Sequence, residues 1–231
     1  SISETKSIVS LAIDGTSGTV LVCDKAGAPL APAMMYNDQS CSEQAAQIAA
    51  TAPPDCGAHG ANSSLAKAMY LLKQHPDAAF ICHQADWVAA RLTGKVGLSD
   101  ENNCLKLGYN SVEQTWPNWL NELGINSKIL PRVFKPGCVY SNISPEIAAE
   151  LDLPEHCQIV AGTTDSIAAF IATGANQIGD AVTSLGSTLV LKVISEAPVS
   201  APELGIYSHK LGNYWLAGGA SKSTRLNSSH V

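Results

Sequence analysis

The stretch at residues 162–188 constrains this chain most. A strand over 158–161 runs into the turn Gly162-Thr163-Thr164-Asp165, and a small-residue helix comes next and stops near Gly174. A second strand over 181–185 delivers Gly186-Ser187-Thr188. Two strand ends thus bring a carboxylate and a glycine–hydroxyl loop into play. A carboxylate can take a proton from an alcohol, and such a loop can offer N–H groups to phosphate.

Composition narrows the class. The 231 residues suffice for one large domain or two small ones. Apolar residues make up 45% and charged residues only 15%, the balance of a well-buried chain or of a piece of something larger. The 14 Lys and Arg are scattered and the net charge is −6, which argues against a partner with a phosphate backbone such as nucleic acid. No apolar run reaches the length of a membrane helix, and the first residues lack the apolar core of a signal peptide. The absence of a starting Met leads us to expect a chain that begins mid-protein. The seven cysteines are odd in number, widely spaced and free of CxxC pairs, so they read as small buried apolar residues.

Taken in order, residues 7–13 form a buried strand that ends in Asp14-Gly15-Thr16-Ser17, and 19–23 form a second strand. The Asp-Gly-Thr corner reads either as a tight turn with a permissive glycine or as a carboxylate and two hydroxyls at a strand end. By itself it favours the turn. Residues 29–35 are extended and lead into Tyr36-Asn37-Asp38. Helices come next over 42–51 and from a cap at 62–64 to about 74, then a short strand at 80–82 and a helix over 83–94 closed by Gly94. Residues 98–103 read as a polar loop. A short helix begins near Trp116, 131–136 are extended, and a further helix opens at Ser144-Pro145-Glu146. Strand character continues over 189–194 and returns at 206–209 and 214–217, joined by a turn near Gly212-Asn213.

The familiar catalytic signatures are missing. The six histidines do not fall at metal-ligand spacing, and there is no HExxH, GxSxG, GxGxxG or GxxxxGK[ST]. Asp165 and the loop 186–188 remain, and each alone is a weak signal.

Together with their surroundings these segments resemble the FGGY family of carbohydrate kinases, and within it a plant and cyanobacterial pentulose-kinase branch. The resemblance spans about residues 7–221. It rests on Asp14-Gly15-Thr16-Ser17 closing the run 10–17, Tyr36-Asn37-Asp38 opening 36–41, and His83-Gln84-Ala85-Asp86-Trp87 with Leu92-Thr93-Gly94. It also rests on Ser99-Asp100, Asn102-Asn103, 105–109, 162–169, 183–188 and 207–209. The resemblance implies an α/β chain with the RNase H-like fold of the actin/hexokinase/Hsp70 ATPase superfamily, incomplete at both ends. It implies most of a sugar-binding domain over 1–175, the start of an ATP-binding domain over 176–221, and a foreign or disordered tail over 222–231. The implied activity is ATP-dependent phosphorylation of a pentulose, D-ribulose or D-xylulose, at its terminal hydroxyl. Asp165 would be the catalytic base. Asp14, Gly15, Thr16, Asn37 and Asp38 would line the sugar pocket, Gly186, Ser187 and Thr188 would hold phosphate, and ATP with Mg2+ would be the cofactors. The implied partners are sugar and ATP, with no nucleic acid and no membrane. The implied compartment is the cytoplasm, or the chloroplast for a plant nuclear gene.

Two departures refine this. The family's first phosphate loop reads Asp-x-Gly-Thr-Ser and then a basic residue. The run at 14–17 lacks the intervening residue and the basic one, and only 22 residues lie between Asp14 and Asn37. Asp14 therefore reads as the later sugar-site corner, and the first phosphate loop is expected outside these residues. The last ten residues do not resemble the family. The chain is thus expected to be an inactive interior fragment. The alternatives are a non-catalytic sugar-binding or regulatory member of the same fold, and an actin- or chaperone-like ATPase acting on protein.

Overall fold

The computed structural model describes residues 5–185, 188–201 and 204–222. The chain divides into two compact units, Ser1–Asp165 and Ser166–Val231. In the first, β1 (Ser10–Gly15) and β2 (Val20–Cys23) precede α1 (Ser42–Thr51) and α2 (Ser64–Gln74). Then come β3 (Phe80–His83), α3 (Gln84–Thr93), β4 (Leu98–Asp100), α4 (Glu101–Cys104), α5 (Trp119–Glu122), β5 (Arg132–Phe134), β6 (Val139–Asn142), α6 (Pro145–Glu150) and β7 (Gln158–Thr164). Helix α7 (Asp165–Ile171) begins with the last residue of this unit and continues into the second.

Local chemistry sets these helix limits. Ser63 caps α2 by accepting from the Ala66 N–H, and Ser144 caps α6 with Pro145 in the first turn. Gly94 ends α3 at φ +71°, a left-handed conformation that glycine takes without a side-chain clash. Two cores result. Val20, Val22 and Ile81 of the β2–β3 pair bury against Ile48 of α1 and Leu65 and Leu71 of α2. The sheet β1–β7–β6 packs Leu11, Ile13 and Ile159 against Ala89 and Leu92 of α3 and Ile147 and Ala148 of α6. Fully burying side chains of this kind stabilises by roughly 1.5–3 kcal/mol each. The seven cysteines are free thiols, five of them buried, as their spacing led us to expect.

In the second unit β8 (Ala181–Leu185), β9 (Thr188–Ser195), β10 (Tyr207–Leu211) and β11 (Tyr214–Lys222) form an antiparallel sheet in the order β10–β11–β9–β8. Ile167 and Phe170 of α7 bury against Ile194 and Leu216 of that sheet. Residues 189–194 do not prolong the strand over 181–185. They fold back on it, with Leu185 paired to Leu189. Gly186 and Ser187 lie between the two strands and outside the described residues.

The strand β7 outruns its sequence reading. Gly162, Thr163 and Thr164 are not a turn: they belong to the strand, which stays paired in parallel with β1 to its end, Asp14 to Thr163 and Gly15 to Thr164. The register slips between Ala12 and Asp14, where β7 carries one residue more than β1. Such a bulge bends its strand and re-aims the residues beyond it. It is possible because residue 162 has no side chain. A Cβ there would stand 1.8 Å from the Ile13 carbonyl oxygen.

Residues 99–103 are likewise not a solvated loop. Each is 2% exposed or less. Most of their polar groups pair with one another, with His83 or with β7, while Asn103 Oδ1 has no hydrogen-bond partner among the described residues. The Asp100 carboxylate accepts from the N–H groups of Asn102 (2.9 Å) and Asn103 (3.0 Å) and from Asn103 Nδ2 (2.6 Å). Asn102 Nδ2 donates to Thr163 Oγ1 (3.0 Å), and Asn103 Nδ2 to the Thr163 carbonyl (3.3 Å). Buried polar groups persist when paired in this way. The side chains of α4 thus grip β7 one residue before its end. Burial pushes Asp100 up to about 6, against the pull of its bonds to Asn103.

This arrangement has two measurable consequences. Gly162→Ala is expected to cost about 3 kcal/mol in urea unfolding, because the clash is with backbone and not with a side-chain tip. A variant as stable as the parent would refute the need for close approach at Ile13. For Asp100, the folded state holds the proton more tightly than the unfolded state. Its contribution is therefore present below about pH 4, the range of an unfolded aspartate, and lost as pH rises through about 6. Asp100→Asn should shrink the parent's loss of stability between about pH 4 and about pH 7.5 by on the order of 2 kcal/mol. An unchanged pH slope would show that Asp100 is not the titrating group.

Candidate active site

The site is built on the ends of β1 and β7. Because the two strands run parallel, Asp14 and Gly15 finish beside Thr163 and Thr164, and Asp165 is the next residue of the chain. Neighbouring strands lie about 4.8 Å apart, so Asp14 and Asp165 are brought to one edge of the sheet. Both are exposed. Carboxyl ends of parallel strands are where α/β sheets gather ligands.

The Asp14-Gly15 corner is not itself the turn. Both residues are strand, and the reversal comes at Thr16–Thr19, where Thr19 N–H donates to the Thr16 carbonyl (3.2 Å) and Gly18 takes φ +91°. Gly15 has a different reason to be glycine. A Cβ would come within 3.0 Å of the Ala85 nitrogen and 3.2 Å of its Cβ, so the start of α3 is seated directly on the corner.

Thr16 is held by a directed chain of bonds. Its N–H (3.1 Å) and its hydroxyl (3.0 Å) both donate to Gln84 Oε1. With that proton committed, Thr19 Oγ1 donates to Thr16 Oγ1 (2.5 Å) and accepts from the Tyr36 N–H (3.0 Å). Thr16 thus keeps acceptor capacity for a ligand but no free hydroxyl proton. The bond from Tyr36 ties the corner to the loop carrying Asn37 and Asp38. Asn37 is exposed and Asp38 half-buried. Asp38 Oδ1 accepts from the Ser40 N–H (2.8 Å), and the Ser40 bonds hold its carboxyl below the usual range, with a smaller contribution from Lys67.

The structure therefore brings Asp14, Gly15, Thr16 and Asp165 to one sheet edge and links the 36–38 loop to it by hydrogen bonds. Gly186 and Ser187 fall outside the described residues, and of Thr188 only the backbone is described, paired with Lys222 at the start of β9. Sequence reasoning assigned no role to Gln84, Thr19, Lys67, Asn102 or Asn103. Gln84, Asn102 and Asn103 lay inside resembling segments, which was the available signal. Thr19 read as strand. Lys67 is a fully buried lysine in α2 whose ammonium donates to the Gly18 (2.9 Å) and Met35 (2.6 Å) carbonyls. No spacing in the sequence marks it.

Comparison with known proteins gives the family and the fold. Residues 1–172 match the N-terminal domain of the FGGY family of carbohydrate kinases. A xylulose kinase from Klebsiella pneumoniae is 23% identical over 207 residues, covering 86% of this chain and 43% of that protein. The crystal structure of xylulose kinase from Rhodospirillum rubrum superposes with a TM-score of 0.84 at 23% identity over 95% of this chain and 48% of that one. Plasmodium falciparum glycerol kinase with ADP gives 0.78 at 18% identity over 94% of this chain and 47% of that one. The fold is thus that of the actin/hexokinase/Hsp70-like sugar kinases, and the chain spans less than half the length of these relatives. With most of its residues inside that domain match and its strand-end corner built on the same fold, this chain belongs to the FGGY family of carbohydrate kinases.

Proposed function

We propose that the intact protein carrying this chain transfers the γ-phosphoryl group of ATP to the terminal hydroxyl of a pentulose, D-xylulose or D-ribulose. The observation that carries the reading is the parallel register of β1 and β7, which sets Asp165 beside the Asp14 corner. The names of the matched relatives support xylulose, and ribulose enters from the resemblance to the pentulose-kinase branch.

In this reading the sugar hydroxyls lie along Asp14, Thr16, Asn37 and Asp38, with Gly15 giving the backbone room to approach. Carboxylates accept hydrogen bonds from the polyol, and Thr16 accepts without donating. Asp165 accepts the proton of the terminal hydroxyl as its oxygen attacks phosphorus. Phosphoryl transfer needs little covalent help from protein, so alignment and one well-placed base are what these residues contribute. Gly186, Ser187 and Thr188 are proposed to hold phosphate on the strength of their match to the family. ATP supplies the phosphoryl group, and Mg2+ spreads the charge of its phosphates. Among the described residues no three His, Cys, Asp or Glu gather as a metal site. Mg2+ in phosphoryl-transfer sites is held chiefly by phosphates, water and one or two carboxylates.

A sugar-binding member without catalysis is the competing reading, and Asp165 separates the two. Asp165→Asn in the intact protein should lower kcat by about 10²- to 10⁴-fold with KM for the pentulose little changed, read by ADP release. A kcat within about threefold of the parent would leave Asp165 without a catalytic role. The same assay with D-xylulose and D-ribulose ranks the two by kcat/KM. We further propose that the 231 residues alone bind sugar but scarcely turn it over, since they span under half of their relatives' length. Robust pentulose-dependent ADP release by this chain would overturn that.

A further inference from the structure

Helix α2 presents one charged side chain to the interior. Lys67 is fully buried, beside Leu65, Ala66 and Ala68, which are fully buried as well. Its ammonium donates to two backbone carbonyls, Gly18 and Met35, and no carboxylate stands within ion-pair distance of it among the described residues. A buried ammonium is costly, and an apolar side chain of similar volume is often the more stable choice. Stability alone therefore does not account for a lysine here.

What the ammonium joins is specific. Gly18 closes the reversal that comes after Asp14, Gly15 and Thr16. Met35 opens the loop that carries Asn37 and Asp38, and its carbonyl also accepts from the Asp38 N–H (3.0 Å). The two loops meet elsewhere through backbone bonds between Val20 and Met34 and the bond from Tyr36 N–H to Thr19 Oγ1. One charge thus grips the end of one candidate sugar loop and the start of the other. Burial lowers the affinity of Lys67 for its proton, and Asp38 opposes this, so the charge is sustained from the same loop it orients.

We infer that Lys67 is a positioning residue of the sugar site: its ammonium fixes the 14–18 corner against the 35–38 loop, so that Asp14 and Asn37–Asp38 address one sugar together. This rests on the pentulose reading above. A merely structural lysine would stabilise the unit without coupling these two loops to sugar affinity.

The test uses the full 231-residue chain and three variants. Lys67→Met removes the charge and keeps the volume. Lys67→Arg keeps the charge. Thr19→Val removes the neighbouring hydroxyl link while leaving Lys67 in place. Calorimetric titration with D-xylulose and D-ribulose gives Kd, and amide hydrogen exchange reports on residues 18–20 and 34–38. Lys67→Met is expected to weaken the better pentulose by on the order of tenfold to a hundredfold and to speed exchange in both loops together. Lys67→Arg should recover a good part of both, and Thr19→Val should give a smaller loss of the same kind. Should Lys67→Met fail to fold, Thr19→Val decides the matter, and a parental Kd and parental loop exchange in it would overturn the inference. Parental Kd and loop exchange in a folded Lys67→Met would overturn it too, while leaving the pentulose reading intact. A parent chain that binds neither sugar would overturn this inference, while ADP release by the intact protein would still decide the pentulose reading.

Discussion

The contact on which the first unit depends is between two backbones, Gly162 and the Ile13 carbonyl. The strand-end corner proposed for the site is built directly beyond it. Because position 162 carries no side chain, β7 can hold one residue more than β1 and still pair beyond the slip. Without the bulge, the period-two alternation of side chains would carry a different set of residues to the sheet edge. The close approach therefore decides which atoms face outward after Thr164. Gly15 plays the matching part on the other strand, letting α3 sit within 3.0 Å of where a Cβ would be. Two glycines in ordinary extended backbone fix the corner, and neither is there for a left-handed turn.

Polar groups beneath the corner then hold it still. Asp100, Asn102 and Asn103 tie α4 to Thr163, and Gln84 ties the first turn of α3 to Thr16. A network of this kind is costly when half-satisfied and rigid when complete. Its cost shows in Asp100, which burial leaves reluctant to ionise. The exposed carboxylates at the strand ends stand on this buried frame. The frame is polar where an apolar core would have served stability better, which is the pattern expected when geometry and not stability is under constraint.

Much of the outline was legible from residue patterns. The helix over 42–51, the cap before α2, the glycine that stops α3 and the proline that opens α6 depend on chemistry that acts within one turn, so sequence order suffices to read them. The placement of the candidate site residues was legible too, since Asp14 and Asp165 both fell at strand ends. The features that could not be read depend on partners far along the chain. Gly162-Thr163-Thr164 has the composition of a turn and becomes strand only because β1 lies alongside. Residues 99–103 have the composition of a loop and are buried only because Thr163, some 60 positions later, completes their bonds. Lys67 looks like a surface lysine on an amphipathic helix until Gly18 and Met35, 49 and 32 positions away, are seen to surround its ammonium.

The same distinction separates the two kinds of residue that the proposed phosphoryl-transfer site needs. The base must be exposed and must stand at a fixed place, and a strand end next to a register-locking bulge supplies that through backbone alone. The sugar-binding groups must converge from two loops, and loops have no register to lock them. They need a fastener from outside, and an acceptor-rich gap between two loop carbonyls calls for a donor with several N–H bonds and a long apolar stem. Lysine on the facing helix meets that demand, since its stem packs in the apolar core while its head bridges both loops. On the proposed reading, burying a charge at that place reinforces the Val20–Met34 bridge in bringing two segments together as one sugar site.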